Sequence, residues 1–512
     1  MRLVFHKLIV PRDPLPLNAS CQALFDKWKL PPDALLPGQT PLDPPPFEYF
    51  STRNVNEDYI KSPRLAVTKL LTKRWCEARE YYTIYLGSPV VRNAAMTKGT
   101  VHHTRLEDLT HKRVDTSKLR AYLRQLAELA PEGNLALVNG AETSYGARWA
   151  NQIIARLFLL FTTSTAREIM IHGWIDLENG KLCGPDVANA VPVNGVIDLV
   201  KLVNQENSRD WSMVEDVINQ IDSNNRLIDG LLSQFEIAAK GHGDTKIVVT
   251  DVKTRPFSKA PDQPLVVEAA ELQTLYYHRM LDTLSRDPQQ TYRSLLANAE
   301  SFGLDVDAPL SYVGLIEMLA KPEGDLLAHD LKLIANGELF GFSDYDNHVF
   351  KTDEVYDPSS LVTTPEQLAQ ICEIHAIEPL LTPLLKPWKR APTLRFLAAR
   401  AAQMYHLCYK RMADTTTVEY HNSHTGHRFE TQVISVSRNR LDEATAHALE
   451  FWRGARPPEY ADTVAMCKNC TFAAKCRRPN GATAEDEARL EVGRQLYKYL
   501  DDVAAHQKDS ST

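Results

Sequence analysis

Three cysteines fall within ten residues near the C-terminus, Cys467, Cys470 and Cys476, in the spacing C-x2-C-x5-C. Core packing gives no reason for such crowding. The short loop Cys467-Lys468-Asn469-Cys470 instead turns two sulfurs toward one ion or cluster, and Cys476 follows within a turn or two. Three thiolates leave a tetrahedral zinc or a cubane iron-sulfur cluster one ligand short, and thiolate suits both. Cys76, in Arg74-Trp75-Cys76-Glu77, is the candidate for the fourth. The others, Cys21, Cys183, Cys372 and Cys408, stand alone in segments that read as linker, strand or helix, where a thiol is ordinarily an inert small hydrophobe. A fold closed in this way must bring an early segment of the chain against its C-terminal end. Eight cysteines in 512 residues are too few for a disulfide framework.

A chain of 512 residues exceeds the size at which one core keeps growing, so two or three lobes are expected. With 44% hydrophobic and 24% charged residues, its composition is that of an ordinary globular protein. The formal net charge of -7 offers polyanions no global attraction, so any binding to phosphates must come from a local groove. No apolar run approaches membrane-spanning length; Leu157 to Phe161 is far too short. The first twenty residues carry Arg2, Lys7 and Arg12 against Asp13, a faint transit-like bias that Pro11 and Pro14 interrupt.

Residues 1–61 read as a Pro-rich arm with a targeting role in question, since the prolines between Pro31 and Pro46 preclude a regular element. The first folded unit begins near Ser62-Pro63. Helical spacing is expected over 65–82, 94–109, 118–129 and 148–162, and Cys76 falls on or just after the first of these. The period then changes. Strands are expected at 168–174, 191–200 and 246–253, followed by a helix at 265–284. Together, 62–284 form an α/β core, a sheet flanked by helices. Residues 285–412 read as a helical insertion or lobe ending in a strong helix over 392–412. Residues 413–480 supply a hairpin (417–421 with 428–434), a helix at 438–452 and the cysteine cluster, and 481–512 close with a charged helix and tail.

Asp198 lies inside the apolar run Gly195-Val196-Ile197-Asp198-Leu199-Val200, where a carboxylate is costly unless something cationic meets it. Asp251 ends another apolar strand, and Lys253 shares its face because strand side chains repeat every second residue. Two carboxylates from adjacent strands with a lysine beside them are what divalent-metal phosphodiester hydrolysis needs. Hard oxygens hold Mg2+, and the ammonium steadies the attacking water and the charge growing on phosphorus. Alone, Asp-x-Lys is equally a buried ion pair or a strand-end cap. Its surroundings narrow the choice. In order the chain carries Gly99-x3-His103-x2-Leu106-Glu107, then Gly195-Val196-Ile197-Asp198, then Asp251-x-Lys253-Thr254-Arg255, then Gln273-x3-Tyr277 on one helix face, then the cysteine trio.

These ordered motifs, over about 62–479, resemble the RecB-type nucleases of the PD-(D/E)xK superfamily that carry a four-cysteine iron-sulfur cluster, and within them the eukaryotic exonuclease V family, fungal mitochondrial type. The resemblance implies a restriction-endonuclease-like core sheet flanked by helices, with an added helical region and a C-terminal staple made by a 4Fe-4S cluster on Cys76, Cys467, Cys470 and Cys476. It implies degradation of single-stranded DNA from its ends with release of short oligonucleotides. By position, Asp198 and Asp251 would bind Mg2+ with the Val252 carbonyl adding a ligand, and Lys253 would be the catalytic lysine. His103 would approach the metal or a phosphate, while Gln273 and Tyr277 would steady the DNA strand. Arg255 would meet the phosphate chain as it leaves, or be an ordinary solvated arginine. The implied actor is a monomer on single-stranded DNA, unattached to membrane, in the mitochondrion, with the nucleus as the alternative compartment. The second acid is Asp251 where many relatives have glutamate, and nothing before Ser62 matches.

Trp174 is expected in the core, since a tryptophan in an apolar strand normally packs. The run His421 to His427 lacks paired thiols or carboxylates and reads as a polar turn, and His102 as a surface or supporting residue. The competing functions are a structure-selective endonuclease on the same core and a non-catalytic DNA-binding protein with a zinc site. Electron transfer ranks last for want of a glycine-rich dinucleotide turn.

Overall fold

The computed structural model describes residues 45–53, 64–74, 76–86, 94–128, 140–204, 245–342, 355–374, 377–461, 467, 470, 472 and 476. The expected C-terminal helix and most of the Pro-rich arm lie outside them.

One mixed sheet organises the molecule. Its strands are β1 (Leu65–Ala66), β2 (Thr165–Asp176), β3 (Lys181–Cys183), β4 (Val191–Asn204), β5 (Thr245–Arg255), β6 (Thr415–Asn422) and β7 (Arg428–Ser435). The order is β3-β2-β4-β5-β6-β7, with β1 lying parallel to the start of β4. β5 and β6 are parallel, and β2, β4 and β5 run antiparallel to one another in turn. A parallel pair needs a crossover. Here the crossover between β5 and β6 carries the helices Pro264–Arg286, Pro288–Glu300, Tyr312–Leu319, Ala328–Ala335, Pro365–Ile374 and Leu394–His406. Their boundaries follow local chemistry: Pro264 opens the first, Asp287 accepts from the backbone amides of Gln289 and Gln290, and Ser311 and Thr393 cap later helices.

These helices share the sheet's core. Trp149, Phe161, Ile197, Val249, Phe396, Tyr405 and Trp452 all belong to one buried cluster, and Tyr405 donates to the carbonyl of Met170 on β2. Trp174 is buried as expected, its Nε1 donating to Ser294 Oγ at 2.7 Å.

Most expected elements are present, some with shifted ends. The helix expected over 65–82 is instead broken: β1, a short helix Val67–Leu70, a 3-10 turn Thr72–Arg74 and a helix Glu77–Leu86. Pairing of Leu65 with Val193 pulls the first residues into the sheet, which overrides their helical spacing. The helix expected over 148–162 starts at Ala141 and contains a π-helical stretch at Ala150–Ala155. The helix expected over 392–412 ends at His406 because Lys410 adopts a left-handed φ of 59° and residues 411–413 hydrogen-bond to Ile247 on β5. Within the expected arm, Pro46–Arg53 is helical. Its Tyr49 is buried and stacks on Tyr85 at 4.7 Å.

Candidate active site

β4 and β5 meet through Leu199 opposite Thr250, so one step further along the register sets Asp198 against Asp251. Both carboxylates lie in an apolar sheet, and Asp251 has no solvent-accessible side-chain surface. Burial and the charge of Asp251 push the carboxyl of Asp198 up to about 7. Asp198 Oδ2 accepts from the Val252 amide at 2.9 Å, which aims Oδ1 toward His103 Nδ1, 3.9 Å away.

Lys253 is held from two sides. Its Nζ lies 3.0 Å from Asp251 Oδ1 and 2.8 Å from Oδ2, and donates to Gln273 Oε1 at 2.9 Å. The approach is aligned as a hydrogen bond only on Oδ1, so Oδ2 remains buried without one. Gln273 in turn donates through Nε2 to the Tyr277 hydroxyl at 2.9 Å. Gln273 and Tyr277 share a helix face, as their spacing predicts, and both are buried, Gln273 bonded to Lys253 and Tyr277 to Gln273. Arg255 stands half-buried where β5 ends beside Asn422.

His103 comes from the helix Ala94–Thr110. Its Nε2 is 3.1 Å from the Val252 carbonyl, a contact that makes Nε2 the donor and turns Nδ1 toward the acids. Val252 O is thus already bound on one of its two lone pairs. Burial works against a charged imidazole here, yet Glu168, Asp198 and Asp251 together hold its pKa above the ordinary value.

Glu168 was not expected in the site. The ladder between β2 and β4 pairs Arg167 with Leu199 and Ile169 with Ile197, which leaves Glu168 facing Asp198 in register. Its φ of 55° interrupts the strand there. A left-handed glutamate inside a strand is strained, and such strain gathers at functional sites. Ligand atoms of His103, Glu168 and Asp198 lie within 4.8 Å of one another. The one sequence signal was a lone acid opening the apolar run Ile169-Met170-Ile171.

The donor set fits a hard divalent cation on two observations: Asp251 keeps a buried carboxylate oxygen without a hydrogen bond, and His103 Nδ1 lies 3.8 Å from Glu168 Oε1 and 3.9 Å from Asp198 Oδ1. His103, Glu168 and Asp198 are the residues whose ligand atoms come close enough together to hold it, with Asp251 next to Asp198 in register.

The N- and C-terminal cysteine segments meet at a second junction. Glu77, fully buried, accepts from both Nη1 and Nη2 of Arg456 and from the Glu459 amide at 2.8 Å. The Ala78 amide donates back to Glu459 O at 2.9 Å, with Cys76 Sγ 3.9 Å from the same carbonyl. Tyr82 stacks on Phe472 at 5.5 Å, and burial, with Cys476 and Cys76 both close by, raises its hydroxyl pKa. Cys467 and Cys470 are joined by a turn, the amide of Cys470 donating to Cys467 O at 2.9 Å.

A family profile described as "Exonuclease V - a 5' deoxyribonuclease" matches residues 58–478. The chain belongs to the exonuclease V family. It is therefore a nuclease, and its mixed sheet with flanking helices is the α/β nuclease core expected from its motifs. Similar proteins, each named "Exonuclease V, mitochondrial", come from several yeasts. The one from Candida albicans (strain SC5314) is 34% identical over 96% of this chain and 83% of its own length. That from Scheffersomyces stipitis is 34% identical over 94% of both. The Kluyveromyces lactis protein is 30% identical over 85% of this chain and 80% of its own.

Proposed function

We propose that this exonuclease V is a mitochondrial, Mg2+-dependent exonuclease that degrades single-stranded DNA to short oligonucleotides, its fold closed by a 4Fe-4S cluster on Cys76, Cys467, Cys470 and Cys476. The convergence of Asp198, Asp251 and Lys253 in one pocket carries the reading. Asp198, Asp251, Glu168 and His103 would hold the cation, which supplies Lewis-acid polarisation of the scissile phosphate and a more acidic bound water. Lys253, fixed by Asp251 and Gln273, presents its ammonium to the attacking water and to the charge that grows on the phosphate oxygens. Gln273 and Tyr277 orient this lysine, and Arg255 stands where the phosphate chain would leave. The thiol-rich junction and its soft donors support the cluster, and the names of the yeast relatives support the compartment.

Anaerobic purification with a visible spectrum and iron assay tests the cluster. End-labelled and circular single-stranded DNA, each with and without Mg2+, test the activity. The expected result is a brown, iron-containing protein that shortens linear strands only with Mg2+ and spares circles. Cleavage of circles would make it an endonuclease, and a colourless zinc protein without cleavage would overturn the reading.

A further inference from the structure

His102 and His103 are adjacent on one helix and point to different partners. His103 faces the acidic pocket, whereas His102 is buried and meets His421 on β6, Nε2 to Nδ1 at 3.2 Å. His421 Nε2 is 3.2 Å from Glu419 Oε2. Glu419, also buried, accepts at Oε1 from Lys201 Nζ at 2.8 Å and from Arg428 Nη1 at 2.9 Å. The Glu419 carboxylate can only accept, so Nε2 of His421 is the donor there; with a neutral His421 ring, its Nδ1 then accepts Nε2–H of His102. Glu419 is ionised, since His421, Lys201 and Arg428 together overcome its burial and hold its pKa well below the usual carboxylate range. The register ties the same residues to the site. Glu419 pairs with Val252, whose carbonyl His103 engages, and His421 pairs with Thr254. The helix is pressed close at this point: a Cβ on Gly99 would lie 3.1 Å from Thr254 Oγ1.

A buried polar chain of this length is costly unless fully satisfied, and once satisfied it rigidifies what it joins. We propose that Glu419, His421 and His102 are positioning residues that clamp the helix Ala94–Thr110 to the edge of β5 and β6, and so fix the Nδ1 of His103 at the cation pocket. The inference rests on the metal-dependent reading above. A group hydrogen-bonded directly to a metal ligand typically costs about 10–100-fold in metal affinity when removed; these three act one step further out, through the helix that carries His103, so a smaller loss is expected.

Calorimetric Mn2+ binding to the full-length protein is the primary measurement, with hydrogen exchange of the helix Ala94–Thr110 in the metal-free protein as the second. His102→Ala and His421→Ala are each expected to weaken Mn2+ binding severalfold, up to about 10-fold, and to speed exchange around His103, with the visible spectrum unchanged. His102→Gln, which keeps a donor, should recover part of the affinity. Wild-type Mn2+ affinity and exchange in both alanine variants would overturn the proposal. Asp198→Ala serves as the control. If it too leaves binding intact, the metal-dependent reading itself fails; if it abolishes binding while the histidine variants do not, only the clamp fails.

Discussion

The acidic pocket and the thiol junction both join distant parts of the chain, by opposite means. In the pocket, the register of β2, β4 and β5 places Glu168, Asp198 and Asp251, and a hydrogen-bonded sheet would hold them there in any solvent. At the junction, no strand pairing spans the gap among the described residues. Side chains do so instead: the ion pairs of Glu77 with Arg456 and Lys73 with Glu459, the Tyr82–Phe472 stack and Trp452 Nε1 on the Lys69 carbonyl, with a few backbone bonds around Glu459. The pocket is therefore preorganised and electrostatically tense, while the junction depends on side-chain contacts. Chemistry should be lost at the first without loss of fold, and fold at the second without direct loss of chemistry.

The strongest attempt to break that contrast is Lys253→Ala. Removing a preorganised donor from a reacting phosphate costs on the order of 10²–10³ in turnover, with iron content expected to stay at the wild-type value; because the buried Asp251 loses its cation, turnover is compared per folded molecule. Single-turnover cleavage of end-labelled DNA measures it, and normal cutting would refute the role given to Lys253. Next is Glu77→Ala, which takes the bidentate carboxylate from Arg456 and the acceptor from the Glu459 amide, and leaves Arg456 to the His447 carbonyl and the more distant Glu450 and Glu459. Breaking a buried pair costs about 3–5 kcal/mol, read by denaturant melts, and activity per folded molecule should hold. A stable variant with lost activity would invert the comparison.

A third test uses pH. The folded-state pKa of Asp198 is raised to about 7, against about 3.9 in an unfolded chain. The folded protein thus favours the protonated acid. Its stability from this group is complete below about pH 4 and is lost as pH rises through 7. Metal-free wild type should match Asp198→Asn at low pH and fall behind it by pH 8, by on the order of 2–4 kcal/mol. Added Mg2+ should recover the deficit in wild type only. Parallel melting curves at both pH values would remove the tension ascribed to the pocket.

Much of this was legible in sequence because spacing reports faces and runs. The face shared by Asp251 and Lys253 and the acid inside Gly195 to Val200 follow from the period of a strand, whereas their role and that of His103 came from the family resemblance. What was illegible depends on partners far along the chain. Glu168 enters the site through its register with Asp198 and a left-handed backbone, and neither leaves a trace in local pattern. The break in the helix expected over 65–82 comes from pairing with β4, and His421 read as part of a turn because its partner His102 lies on a helix far upstream. The turn itself is real from Asn422 onward, where Asn422 Oδ1 accepts from the amides of His424 and Thr425.

Gln273 gives the finest test, because sequence and structure assign it different work. Resemblance put it against the DNA, whereas its Oε1 takes a hydrogen bond from Lys253 and its Nε2 is spent on Tyr277. A hydrogen bond to a charged group contributes about 1.5–3 kcal/mol, and part of it survives when water replaces the amide. Gln273→Ala should therefore slow the cleavage step roughly 10-fold while single-stranded DNA still binds normally to a Lys253→Ala background. Weakened DNA binding in that double variant, with an unaltered cleavage step in the single one, would return Gln273 to the substrate and leave Asp251 as the sole anchor of the lysine.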